Sequence, residues 1–261
     1  MKILVTGPRG FVGARIMQLP GAVPAPSLRD ATEDDVKRLV DEIRPDAIVH
    51  TAAVSDIGAC AADPEASRRA NVELPLMIAR TGVKCVMMST DQVYSGCAGE
   101  GSYAEDEAVP ANLYAEQKLE MEKRVLDINP DAVLLRATWM YDMPLYGVPN
   151  RFNFLVGMLR WRELAFSGAS YRAVTYVREV AAHMPRAIGL PGGVYNYGSE
   201  SGMTMLEIAR WLKVELGLDI ALRDAGWEHN LWMDCARLKE QGIAFSDTLG
   251  GLRQCILDYG L

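Results

Sequence analysis

Through the first half of the chain, short apolar runs alternate with stretches whose apolar residues recur at helical spacing. Lys2 to Thr6 reads as a buried strand, followed by the glycine-rich segment Gly7 to Gly13. Thr32 reads as an N-cap, because Val36, Leu39, Val40 and Ile43 then share one helix face. Pro45 breaks that helix, and Ala47 to Thr51 is the next strand. A helix over Pro64 to Arg80 precedes a strand at Val83 to Ser89, and a helix over Asn112 to Leu126 precedes a strand at Ala132 to Arg136. These strands are apolar along their length rather than alternating, so both faces are buried. That predicts an α/β fold, with a parallel sheet covered by helices on both sides.

The second half is less regular. Met143 to Gly168 mixes Pro, Gly, Asn and aromatics among short helical patterns, as an inserted lobe does. Val194 to Tyr197 reads as a strand, the T-x-x-E box at Thr204 to Glu207 opens a helix to about Glu215, and Thr248 to Tyr259 reads as a closing helix. The expected division is a dinucleotide-binding unit over 1–140 and a smaller, discontinuous substrate-binding lobe over 141–261. Segments near 172–198 and 230–247 return to the first unit.

Composition narrows the function. With 27 Lys plus Arg against 34 Asp plus Glu, the net charge of −7 argues against broad binding to a nucleic-acid backbone. No apolar run is long enough to span a membrane, and the N-terminus enters the first strand and its turn directly, which reads as a cytoplasmic protein. The 5 cysteines are scattered and never spaced C-x-x-C, and the 3 histidines stand apart, so the pattern predicts reduced thiols and no metal site.

The turn Thr6-Gly7-Pro8-Arg9-Gly10-Phe11-Val12-Gly13 lies between a predicted strand and a helix. Glycines there allow a tight turn, close backbone approach to a pyrophosphate and close helix–strand packing, while the helix N-terminus offers free N–H groups. The pattern therefore predicts a Rossmann-like, doubly wound sheet binding a dinucleotide. The stretch after the second strand, Ser27-Leu28-Arg29-Asp30, has no acid at the expected strand end. Arg9, Ser27 and Arg29 suit a 2′-phosphate instead, which favours NADPH and leaves NADH open.

Tyr114 and Lys118 are four apart on one predicted helix face. A phenol is a poor proton donor or acceptor at neutral pH until its environment tunes it, and a neighbouring ammonium both stabilises its anion and can hold a nicotinamide ribose. Thr90, at the carboxyl end of a predicted parallel strand, adds a hydroxyl where open α/β sheets bind ligands. Asp91 is expected to bond its own loop backbone. Arg151, Asn153 and Arg172 are candidates for a substrate diphosphate, although solvated arginines are the ordinary expectation at such positions.

TGPRGFVG at 6–13, HTAA at 50–53, STDQVYSG at 89–96 and YAEQK at 114–118 occur in the order and spacing of the extended short-chain dehydrogenase/reductases. With LRATWMY at 135–141, VTYV at 174–177 and NLWMD at 230–234, the chain most resembles the dTDP-4-dehydrorhamnose reductase branch. The resemblance implies that Thr90, Tyr114 and Lys118 are catalytic and that Gly7, Gly10, Phe11 and Val12 hold the pyrophosphate. It also implies Asp30 near the adenine, Ala52 and Ala53 along the cofactor, and Trp139 facing the sugar. The implied reaction is reduction by NAD(P)H of a nucleotide-activated 4-keto-6-deoxysugar, with a homodimer open as the assembly. Two alternatives stand beside it. One is a sugar-nucleotide epimerase or dehydratase. The other is a non-catalytic regulatory protein resembling the methionine adenosyltransferase regulatory subunit.

Overall fold

The computed structural model describes residues 1–143 and 153–261. In chain order the strands are β1 (Ile3–Thr6), β2 (Ala22–Pro24), β3 (Ala47–His50), β4 (Cys85–Thr90), β5 (Val133–Ala137), β6 (Trp139–Tyr141), β7 (Glu163–Phe166), β8 (Ala169–Tyr171), β9 (Val174–Tyr176), β10 (Gly193–Tyr197), β11 (Ala221–Asp224) and β12 (Glu228–Asn230). The helices are α1 (Gly13–Ile16), α2 (Glu33–Ile43), α3 (Ile57–Ala62), α4 (Pro64–Arg68), α5 (Leu74–Ala79), α6 (Leu113–Ile128), α7 (Phe154–Arg160), α8 (Val177–Ile188), α9 (Met205–Glu215), α10 (Ala236–Glu240) and α11 (Thr248–Tyr259).

Side by side, the main sheet runs β2-β1-β3-β4-β5-β10, and every pairing is parallel. The period-two geometry of a strand explains why its sequences are apolar throughout. Ile3, Val5, Val49, Val133 and Leu135 pack on one face with α8, while Leu4, Ile48, Met87 and Leu134 pack on the other with α2, α5 and α6. From β1 the chain steps outward to β2, then crosses back to β3 on the opposite side of β1. The order therefore reverses between β1 and β3, and such reversals open a crevice at the carboxyl ends of the strands.

Several helix starts match the sequence pattern. Thr32 with Asp35, and Thr204 with Glu207, each form a reciprocal capping box. The helix expected over Pro64 to Arg80 is instead two helices joined by a wide π turn at Arg69–Glu73. Pro75 has no amide hydrogen for the carbonyl one turn back, and the backbone widens just before it. β10 belongs to the main sheet, and Leu238 and Ile243 pack into the core on the α8 side. Beyond β5, the short parallel pairs β6–β9, β7–β11 and β8–β12 gather around α7, α9 and α11 over a separate core that includes Tyr141, Phe154, Ile208 and Leu252. All 5 cysteines are free. Among the described residues, no helix is long and apolar enough to cross a membrane.

Candidate active site

A cleft of about 770 Å³ lies along the carboxyl ends of β1, β3, β4 and β5. The strands follow one another in that order, so at about 4.8 Å per strand their ends form a row about 14 Å long. Gly7, Gly10, Phe11 and Val12 line it after β1, Thr51 to Ala53 after β3, Thr90 and Gln92 around the end of β4, and Thr138 to Met140 after β5. α6 contributes Tyr114 and Lys118. Most of the residues expected at the site therefore share one cavity. Arg9, Arg29 and Asp30 are exposed and outside its lining. Arg151 falls outside the described residues.

The three turn glycines do different jobs. Gly7 has φ +66°, and a Cβ there would meet the Ala52 amide nitrogen at 2.9 Å. A Cβ on Gly13 would come within 2.2 Å of the Gly7 carbonyl, so this glycine permits helix–strand contact and does not line the cleft. Gly10 is different: an added Cβ would meet only the Gly7 carbonyl, at 3.1 Å, and the residue opens onto the cleft. A backbone bare at this point suits close approach by a pyrophosphate, and Ala52 and Ala53 leave room beside it. The residues present therefore fit a dinucleotide.

α6 is held at its start by Asn112, whose side chain accepts from the Ala115 amide and donates to Gln92 and Ser95 in the loop after β4. That contact sets Tyr114 against Thr90. The Thr90 hydroxyl favours the Tyr114 phenolate, while Thr90 Oγ1 donates to Asp91 Oδ1 at 3.3 Å and accepts from the Gln92 amide at 3.1 Å. Burial pushes the Tyr114 phenol above its ordinary value, with Thr90 as the leading opposing group and Arg172 a lesser one, so the resting residue carries its proton. The sequence reading assigned this opposing role to Lys118.

Lys118 is buried and donates to the Met88 carbonyl at 2.7 Å. Burial pushes its ammonium down to about 8, with Glu122, one turn further along α6, opposing. Below pH 8 the folded and unfolded chains both keep this proton, so the folded state bears the full burial penalty. Between about 8 and 10.5 only the folded chain releases it, and stability rises with pH. Lys118→Met should therefore raise stability at pH 7 by about 2 kcal/mol, net of the lost bond to Met88. The gain should shrink by pH 10, which urea unfolding at the two pH values checks.

Sequence reasoning named Trp139, Asn153 and Arg172 as candidates, and all three line the cleft, but it missed the ion pair that fixes Arg172 there. Asp91 does not bond its own loop backbone as expected; fully buried, it accepts from Arg172 Nε at 2.7 Å and Nη2 at 2.9 Å. Arg172 is correspondingly not a solvated arginine: it lines the cleft, 5.7 Å from the centre of the Trp139 ring. The partners are 81 residues apart, and no local signal joins them. Arg172→Leu should cost about 3 kcal/mol in thermal denaturation, because it leaves a buried carboxylate without its partner, and adding Asp91→Asn should recover part of that loss. Thr51 was also missed as a lining residue; its hydroxyl donates to the Thr6 carbonyl at 2.7 Å and braces the β1–β3 crevice. Beneath it, burial pushes His50 down to about 3, so this ring is neutral. Among the described residues, no cluster of His, Cys, Asp and Glu could hold a metal ion.

The model of the RmlD substrate binding domain matches residues 1–221, which is most of the chain. The chain belongs to the RmlD substrate-binding-domain family. A dTDP-4-dehydrorhamnose reductase of Burkholderia thailandensis is 31% identical over 196 residues, covering 69% of this chain and 63% of the relative. The chain thus spans less than two thirds of that relative's length. Methionine adenosyltransferase 2 subunit beta of Xenopus laevis is 28% identical over 238 residues, covering 81% of this chain and 69% of the relative. Among solved structures, a dTDP-4-dehydrorhamnose reductase of Bacillus anthracis in complex with NADP superposes with a TM-score of 0.85 at 20% identity, covering 99% of this chain and 100% of that one. That likeness establishes the α/β fold with its parallel central sheet.

Proposed function

We propose that this RmlD-family chain reduces the keto group of a nucleotide-activated 4-keto-6-deoxysugar, with NADPH as reductant. The observation that carries the reading is the meeting of a protonated Tyr114, Thr90 and Lys118 on one wall of the cleft that the bare Gly10 turn also lines. A nicotinamide held in the cleft would supply a hydride, with its electron pair, for the keto carbon. Tyr114 gives its phenolic proton to the oxygen that becomes the hydroxyl, and the Thr90 hydroxyl hydrogen-bonds that oxygen. The phenolate left behind is favoured by Thr90, with Arg172 as a lesser partner, and Lys118, held on the Met88 carbonyl, would hold the ribose. The backbone around Gly10 holds the pyrophosphate, and Trp139 and Arg172 bound the sugar end. NADP in the Bacillus anthracis structure supports NADPH over NADH. Arg9 and Arg29, being outside the cleft lining, support that preference less than their place in the sequence suggests.

The dehydratase alternative calls for an acid–base carboxylate pair after β4, and Asp91-Gln92 supplies only one acid. Asp91 is the acid in that position, and both its oxygens are engaged by Arg172, which favours the reductase. The regulatory reading draws on the Xenopus relative. Incubation with NADPH and a panel of nucleotide 4-keto sugars, following loss of the reduced-nicotinamide absorbance, separates the readings. Turnover of one member supports the reductase; tight dinucleotide binding with no turnover of any member supports the regulatory protein.

A further inference from the structure

One buried charge cluster lies outside the groups assigned so far, and it joins the two halves of the cleft. Arg15 in α1 and Asp142, just past β6, are each almost wholly buried. Arg15 Nε and Nη2 donate to Asp142 Oδ2 at 2.8 and 2.7 Å, and Nη1 donates to the Phe11 carbonyl at 2.8 Å. The guanidinium also stacks on the Phe11 ring, 4.3 Å from its centre. Asp142 Oδ1 accepts from the Met143 amide at 2.8 Å and from the Tyr259 hydroxyl of α11 at 2.6 Å. The Asp142 carbonyl accepts from Asn153, which caps α7, at 3.1 Å. Phe11 lines the cleft beside the glycine turn, while Trp139, Met140 and Asn153 line it beyond β5.

A buried ion pair adds little net stability over an apolar pair of similar volume. What the planar guanidinium does supply is fixed geometry, because its fork holds three oxygen contacts at once. Here those contacts tie the turn that approaches one ligand to the segment that approaches the other.

We propose that the Arg15–Asp142 pair couples the two ligand sites, so that a dinucleotide held by the Gly7–Gly13 turn tightens binding of a sugar nucleotide beside Trp139 and Asn153. This rests on the dinucleotide and sugar-nucleotide reading above. A dinucleotide fixes the Phe11 backbone, Arg15 carries that constraint to Asp142, and Asp142 holds the Trp139 segment and the Asn153 cap in register. Cutting the pair lets the two sides settle independently.

Calorimetry with NADP⁺ and dTDP-glucose as probes tests this. In the parent protein, dTDP-glucose should bind at least about fivefold tighter when NADP⁺ is saturating. In Asp142→Asn and in Arg15→Lys, that ratio should fall below about twofold, while dTDP-glucose affinity without NADP⁺ stays within about twofold of the parent. Arg15→Lys keeps the charge and most of the volume, so it remains informative where Asp142→Asn fails to fold. A lower Tm with an unchanged ratio means that the pair is merely structural and overturns the proposal, as does a parent whose two ligands bind independently. A parent that binds neither probe overturns the reading of the site itself, and the coupling with it.

Discussion

Tyr114→Phe should lower turnover by about 10²- to 10⁴-fold while leaving dinucleotide affinity nearly unchanged, the scale expected when a positioned general acid is removed. Phenylalanine keeps the ring in its buried place between α6 and β4, so the variant tests chemistry more than folding. What it loses is the phenolic hydroxyl and its proton, beside Thr90. Lys118→Met should lower both turnover and dinucleotide affinity, because the ammonium would hold the nicotinamide ribose in place beside Tyr114. Since the two side chains act as a unit, the double variant should lose far less than the product of the single losses. Steady-state kinetics on a turned-over sugar nucleotide, with calorimetry for the dinucleotide, check each part. Near-normal turnover by Tyr114→Phe sinks the assignment.

Gly10→Val should abolish measurable dinucleotide binding in a protein that still folds. The three turn glycines separate here on geometry. A side chain at Gly13 collides with the Gly7 carbonyl, and one at Gly7 is strained by its positive φ and meets the Ala52 backbone, so substitutions at either damage the fold itself. At Gly10 the added atoms find one carbonyl at 3.1 Å and otherwise enter the cleft. Gly10→Val should therefore keep a Tm close to the parent, whereas Gly13→Val should lose it. Unchanged NADPH affinity in a folded Gly10→Val variant defeats the turn's assignment.

The parts of this molecule that local spacing determines were legible in the sequence. Tyr114 and Lys118 share a face because a helix turns every 3.6 residues. The glycine turn declared itself by lying between an apolar strand and a helix, and the capping boxes at Thr32 and Thr204 fell where the pattern put them. Pairings set by chain crossings were not legible. Asp91 meets Arg172 across 81 residues, and Arg15 meets Asp142 across 127, so neither partner marks the other locally. The placement of β2 alone beyond β1 likewise depends on how the crossover closes, which an apolar run does not encode. Arg9 and Arg29 illustrate the converse. Each is close in sequence to the phosphate turn or the second strand, yet both are exposed and outside the cleft lining, because proximity along the chain says nothing about which way a loop faces.

The most direct measurement is deuterium transfer. NADPH carrying deuterium at the transferable C4 position is incubated with the protein and a nucleotide 4-keto-6-deoxysugar, and the sugar product is read by mass spectrometry and NMR. One deuterium at the former keto carbon for each NADPH consumed, with Tyr114→Phe slowing its appearance, is the predicted result. A product that is epimerised or dehydrated with no net consumption of NADPH and no retained deuterium would contradict the account.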